Sequence, residues 1–150
     1  MTLAIATISN AITGLTVTGL TIKDIDEIPQ AIMNRDCPVL VPDPDNYVSR
    51  FLVEPDSFGA GSGRKWTANY TLNYLLLYAA VGSGRTTVLE KYSGMLSSAF
   101  AFFDALLALT SLTGTVDFEP DMIGDFGIVD FSGTAFHSCN VSLNVKEFVN

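Results

Sequence analysis

The chain has 150 residues, of which 48% are hydrophobic and 16% are charged, and its 16 Asp and Glu against 8 Lys and Arg give a formal net charge of −8. This length predicts one domain with a substantial core, and the apolar content excludes disorder along most of the chain. The acidic balance argues against a sequence-specific duplex DNA-binding protein, because the affinity of such proteins comes from clustered Lys and Arg.

The cysteine content and the hydropathy predict a soluble protein made in a reducing cytoplasm. Cys37 and Cys139 are far apart and fit no metal-binding spacing, which favours two thiols over one long-range disulfide. The first 14 residues lack the basic start of a signal peptide. The longest apolar run, Leu75–Val81, is far shorter than the ~18–20 residues that span a bilayer, so we expect no membrane partner.

The N-terminal third predicts one helix followed by short extended segments. Apolar residues three or four apart in the first 15 positions predict an amphipathic helix, with Thr2 as its N-cap and Gly14 near its end. β-Branched residues then predict a strand over Thr16–Lys23. Prolines on both sides of Val39–Val41 predict that this segment lies at a sheet edge or forms a strap over the core.

A long β-hairpin is the clearest prediction. In Trp66–Tyr78 the even positions are apolar or aromatic, and the odd positions of the first half are polar. Leu75 and Leu77 then add apolar residues to the other face, which predicts burial on both sides. A partner strand at Tyr47–Val53 completes the hairpin, and its Gly-rich tip, residues 54–65, is expected to be flexible.

A long amphipathic helix follows the hairpin. The capping-box pair Thr87 and Glu90 predicts a helix from Val88 to about Leu112. Phe102 lies off the main stripe, which indicates a second buried contact. The stripe expected to lie across the sheet contains Leu89, Tyr92, Leu96, Ala99, Phe100, Phe103, Leu106 and Leu107.

The last third predicts a β-meander with strands at Thr115–Phe118, Phe126–Phe131 and Ala135–Phe148 and a hairpin turn at Ser132–Gly133. The complete order of elements predicts an α+β fold. Its mixed or antiparallel β-sheet is packed by an N-terminal helix and one long central helix, and it carries the long β-hairpin in a single domain over residues 1–150.

Candidate chemical sites are weak. The segment from Gly82 to Gly84 joins a strand to a helix, as an anion-binding loop does, but it lacks the Lys and the spacing of a phosphate-binding loop. His137 is the only histidine and cannot alone build a His-based metal site. The carboxylates of residues 24–27 and 117–130 lack the spacing of a calcium loop. We therefore predict no enzyme activity, no metal and no cofactor.

Charge is separated along the chain. No Lys or Arg occurs between Tyr92 and Val145, whereas Arg50, Arg64, Lys65 and Arg85 flank the hairpin or the strand-to-helix turn. Basic and acidic ends would let copies of the chain meet head to tail in a ring. An acidic wall would also repel nucleic acid, as suits a channel through which DNA passes. The acidic lumen or interface face would be formed by Asp117, Glu119, Asp121 and Asp125.

The order of elements resembles that of the tail terminator (tail completion) proteins of long-tailed bacteriophages. The similarity covers nearly the whole chain and includes the stretch CPVLVPDP and the hairpin strand WTANYTLNYLLLYAAVGSGR. It implies a homohexameric ring in the virion that caps the tail tube, ends its polymerisation and joins the tail to the head connector. DNA would pass through the ring without specific binding, and the family has no catalytic residues.

The resemblance also implies partners and contact residues. The partners are other copies of the chain, the tail tube protein and the head connector or stopper protein. By position in the hairpin and turn, the contacts between subunits or with partners would involve Phe58, Arg64, Lys65, Trp66 and Arg85. Two alternatives stay open: another neck component, a stopper or an adaptor, and a small module that binds an anionic ligand at Gly82–Arg85. An enzyme that uses His137 ranks last.

Overall fold

The computed structural model describes residues 4–55, 65–82, 88–109, 116–121 and 126–149, and it confirms the predicted α+β arrangement. Two short 3-10 turns, Ile25–Glu27 and Asn34–Asp36, separate the first two strands. The helices and strands are α1 Ile5–Thr13, β1 Thr21–Ile22, β2 Val39–Pro42, β3 Val48–Pro55, β4 Trp66–Ala80, α2 Val88–Leu107, β5 Val116–Asp121, β6 Phe126–Phe131 and β7 Thr134–Val149.

All seven strands of the described residues belong to one sheet, which is built around two long antiparallel strands, β4 and β7. The outer side of β4 pairs with β3 at one end and with β2 at the other, and β1 adds to β2 in parallel. The outer side of β7 pairs with β5 at one end and with β6 at the other. Each long strand therefore carries two short strands, one after the other along its length.

Both predicted hairpins are confirmed. β3 and β4 pair from Val48 opposite Leu72 to Pro55 opposite Trp66, and the tip between them, residues 56–64, lies outside the described residues. Ser132 and Gly133, with φ of 51° and 85°, form the two-residue turn between β6 and β7. Positive φ at both central positions is what the twist of a two-residue hairpin turn requires.

The main core lies between the sheet and the two helices. The buried residues of β4 and β7 in this core pack against α1 and α2. They are Tyr70, Leu72, Tyr74, Leu76, Cys139, Val141, Leu143 and Val145, and the helix residues are Ile8, Ile12, Ala99, Phe102, Phe103 and Leu106. A second cluster on the other face includes Leu75 and Leu77, as the apolar filling of both faces predicts for that half of β4. Its other buried members are Ile32, Val39, Val41, Phe131 and Phe136.

Buried polar groups attach α1 to the sheet. Glu147, only 2% exposed, accepts hydrogen bonds from the Ala4 backbone N–H at 2.6 Å and from the Tyr70 hydroxyl at 3.0 Å. A carboxylate is well placed there, because the first N–H groups of a helix lack internal partners. One turn further on, Ser9 shares a hydrogen bond with the Tyr47 hydroxyl at 2.5 Å.

Three predictions for the N-terminal third are wrong. α1 begins after Ala4, so Thr2 is not its N-cap, although Gly14 does end the helix. The strand predicted at Thr16–Lys23 shrinks to β1, because Gly19, with φ of 76°, bends the chain into a tight turn. Val39–Val41 is not at an edge. It lies in β2 between β1 and β4, and every residue of β2 is buried, since three apolar residues gain more from the core than from an edge position.

The prediction for α2 is right in its start and wrong in its end and its buried face. The helix stops at Leu107 rather than near Leu112. Phe102, expected to make a second buried contact away from the stripe, is buried as predicted, but it packs in the main core against Tyr74, with ring centroids 6.2 Å apart. Leu96 and Phe100, expected in the core, are exposed, and so is Leu107. The sheet covers a narrower sector of the helix than the full width of its apolar stripe.

Candidate interaction surfaces

One half of the sheet face opposite the helices is polar. The Thr71 hydroxyl donates to Asn144 Oδ1 at 2.9 Å, and the Ser142 hydroxyl donates to Asn73 Oδ1 at the same distance. The Asn73 amide in turn donates to the Ser49 hydroxyl at 3.0 Å. These bonds link β3, β4 and β7 side by side and fix the positions of the polar side chains.

A groove of about 330 Å³ lies on this polar face. Its lining includes Asn69, Thr71 and Asn144. Arg50 and Lys146 also line it, and their side chains are exposed. Amide side chains between two cations are a suitable setting for an anionic group, because hydrogen bonds to charged groups are the strong ones.

Arg50 has an unusual backbone conformation. Its φ is 55°, and it lies where the β3–β4 register shifts between Ser49 and Leu52. The left-handed region costs a residue with a side chain roughly 1–2 kcal/mol, and a β-bulge bends its strand and increases the local twist. The bulge therefore sets the direction in which this edge of the sheet presents Arg50.

The sheet has two unlike edges at the same level along the strands. β3 is unpaired on its outer side within the described residues, and it exposes Val48, Phe51 and Leu52 together with the cation Arg50. Across the sheet, β5 carries the predicted acidic positions. Its register places Asp117 opposite Lys146, Glu119 opposite Asn144 and Asp121 opposite Ser142. The tertiary structure thus puts the acidic strand and the β3 edge on opposite sides of one sheet.

The predicted contact residues are placed as follows. Lys65 is exposed immediately before β4, and Trp66, half-buried, begins β4 opposite Pro55 and Val149. Both therefore lie at the β3 end of the sheet. Phe58, Arg64, Arg85 and Asp125 lie outside the described residues.

A second exposed surface was not predicted from the sequence. Leu96, Phe100 and Leu107 form a row along α2, because residues four and seven apart share one side of a helix. Tyr92 of the same side contacts Phe126 of β6, with ring centroids 6.0 Å apart, so this row lies toward the β6 edge. β6 adds two exposed apolar residues, Phe126 and Ile128. We call the row and these two residues the α2–β6 apolar surface. Its members, which are between 39% and 64% exposed, are Leu96, Phe100, Leu107, Phe126 and Ile128. The spacing of Leu96, Phe100 and Leu107 was visible in the sequence, but it could not show that the sheet leaves them uncovered.

Burial shifts the pKa values of the two cysteines and of the histidine. Burial raises the pKa of the Cys139 thiol to about 11, and burial together with the nearby Asp36 does the same for Cys37. A protonated thiol is a weak nucleophile. His137 is buried and its Nδ1 lacks a hydrogen-bond partner, and burial, reinforced by the positive charge of Lys91, lowers its pKa.

The described residues contain no group of three or more His, Cys, Asp or Glu side chains arranged to hold a metal ion. No helix in the described part of the chain is long and apolar enough to cross a membrane. Comparison with protein-family models and with curated proteins finds no match to this chain.

Proposed function

We propose that this protein is a ring-forming structural component of a bacteriophage tail, a tail terminator that caps the tail tube and joins it to the head connector. The observation that carries the proposal is the pair of unlike edges on one sheet. β3 presents Arg50 and exposed apolar residues, and the sequence of β5 includes the acidic positions 117, 119 and 121. Complementary but different edges favour head-to-tail association, which closes into a ring when the rotation per copy allows it.

The α2–β6 apolar surface supports the second half of the proposal. A ring that joins a tube to a connector needs contact areas besides those between its own subunits. Five large apolar residues exposed on α2 and on β6, which Tyr92 and Phe126 bring into contact, favour a protein-binding surface, since isolated soluble proteins keep exposed apolar patches small. We assign this surface to the tail tube protein or to the head connector or stopper protein.

The first experiment is the mass of the protein in solution, measured by light scattering over a range of concentrations at low and high salt. We expect an assembly of about six subunits that salt weakens, because interactions between exposed charges are screened. Where the chain is monomeric alone, the same measurement is repeated with purified tail tubes. A monomer that neither self-associates nor binds tubes would contradict the proposal.

Another neck component, a stopper or an adaptor, has the same requirement for a ring and is distinguished by its partner. A terminator binds the end of a tail tube and stops its growth. A stopper or an adaptor binds the connector side and leaves tube growth unchanged. Tube length measured by electron microscopy, with and without the protein, separates the two roles.

A small-anion binding module is the second candidate function, and the groove between Arg50 and Lys146 favours it. Its position differs from the loop at Gly82–Arg85 that the sequence suggested, of which only Gly82 is described. Calorimetric titration with inorganic phosphate tests this candidate. Arg50→Asn removes the charge while keeping a residue that tolerates positive φ, so it should abolish any saturable heat without unfolding the protein.

A further inference from the structure

The register of the described strands relates the β3 edge to the β5 edge residue by residue. Reading across the sheet, Leu52 pairs with Asn69, Asn69 with Lys146, and Lys146 with Asp117. The next row on the same face runs through Ser49, Thr71, Asn144 and Glu119. β3 and β5 are therefore the two ends of the same rows, at the same height on the sheet.

Strand direction also matches. β3 and β5 each pair antiparallel with a long strand, and the two long strands are antiparallel to each other, so β3 and β5 run in opposite directions. A copy moved sideways by the width of the sheet, without being turned over, places its β3 antiparallel to the β5 of its neighbour. The alternation of directions then continues unbroken from one copy to the next.

We infer that the β3 edge of one copy pairs, antiparallel, with the β5 edge of the next copy, with Leu52 facing the neighbour's position 117 and Ser49 facing its position 119. This inference rests on the proposed ring and names the surfaces that build it. The occupant of the β3 edge is a second copy of this chain, because β5 supplies a matching height, the required direction and a sequence with acidic positions 117 and 119 in the rows on either side of Arg50.

Exposure of the β3 edge supports this assignment. Phe51 and Leu52 are 54% and 53% exposed, on a strand whose outer backbone groups have no strand partner within the described residues. Such an edge is a template for pairing with another chain unless something covers it. The bulge at Arg50 supplies the bend and extra twist that a closed ring needs and a flat ribbon lacks.

Cysteine cross-linking tests the pairing directly. Directly opposed residues of an antiparallel pair have Cα atoms about 4.5–5.5 Å apart, which suits a disulfide. Leu52→Cys with Asp117→Cys, in a Cys37→Ser background, should give a ladder of covalent multimers on oxidation of the assembled protein. The matched control is Leu52→Cys with Ile128→Cys, which keeps the β3 cysteine and moves its partner to the exposed face of β6. That control should give no ladder.

A charge exchange provides a second test that does not depend on oxidation. Arg50→Glu places an acid opposite the acidic strand and should weaken self-association at least about tenfold. Adding Glu119→Arg to the same chain should restore it, whereas Arg50→Asn should have an intermediate effect. Thermal unfolding of each monomeric variant checks that the fold is intact.

The outcomes separate the inference from the function on which it rests. A ring that forms normally but cross-links only through position 128, or through neither pair, overturns the β3–β5 contact and leaves the ring proposal standing. Absence of any assembly, alone or on tail tubes, overturns both. A ladder through position 117 together with charge rescue establishes the contact.

Discussion

The two faces of the central strand pair differ in what their residues do. On the helix-covered face, alternate residues of β4 and β7 are apolar and almost fully buried under α1 and α2. On the other face, the half of the sheet that lies next to β3 and β5 carries Asn, Thr and Ser side chains that hydrogen-bond to one another across the strands. The helix-covered face therefore holds the main core, and the polar half of the other face remains available for contact with other molecules.

Truncating a covered and an uncovered residue of α2 should give the largest difference in the free energy of unfolding. Phe103 is 6% exposed and lies in the core, whereas Phe100, three residues earlier, is 64% exposed. Phe103→Ala should lower the free energy of unfolding by about 3–5 kcal/mol, because it leaves a cavity. Phe100→Ala should change it by no more than about 0.5 kcal/mol. Denaturant midpoints measure both, and equal losses would contradict the packing of α2 on the sheet.

Glu147 and Lys146 are adjacent residues of β7, of which the first is buried and the second exposed. Glu147→Ala removes the buried acceptor of both the Ala4 N–H and the Tyr70 hydroxyl. We expect a loss of about 1.5–3 kcal/mol, the range for hydrogen bonds to charged groups. Lys146→Ala changes an exposed neighbour on the other face and should have little effect on unfolding. Calorimetry at neutral pH tests the pair, and a loss as large in the Lys146 variant would be evidence against the role of Glu147.

A smaller effect is expected on the polar face. Asn73 donates to the Asn46 carbonyl and the Ser49 hydroxyl and accepts from Ser142. Asn73→Ala should cost about 1–2 kcal/mol, since each net hydrogen bond contributes about 0.5–1.5 kcal/mol and water can replace part of the network. Asn140→Ala, at an exposed position of β7, is the control. If the two variants unfold at the same urea concentration, the network does not stabilise the sheet.

The smallest expected effect is that of His137 on how the free energy of unfolding depends on pH. Because burial and Lys91 lower the pKa of His137 below its ordinary value of 6.5, the unfolded chain binds the extra proton more readily. Stability from this group is therefore complete above about pH 6.5 and is lost as the pH falls below it. When the pH is lowered from about 7.5 to about 5, the His137→Gln variant should lose less of its free energy of unfolding than the unaltered protein does. Identical losses in urea unfolding at the two pH values would show that His137 does not contribute.

The sequence predicted the central strands well because a strand that covers a core repeats every two residues. The alternation in Trp66–Tyr78 predicted which residues of β4 share the buried face, and the short turn at Ser132–Gly133 predicted a hairpin. Local patterns were less informative for α2, where the apolar stripe is wider than the buried sector. Nothing in the spacing of Leu96 and Phe100 distinguishes a core residue from one left for a partner.

By itself, the sequence determined the α+β class, the long hairpin, the two central strands and the separation of charge along the chain. Only the tertiary structure decided that β2 is buried, that Leu96 and Phe100 stay exposed and that β3 and β5 end the same rows of the sheet. The physical reason is the separation along the chain over which each effect acts. Alternation, capping and turn preferences act over a few residues. The position of an edge depends instead on which distant strands pair, and residues 52 and 117 are related only through β4 and β7.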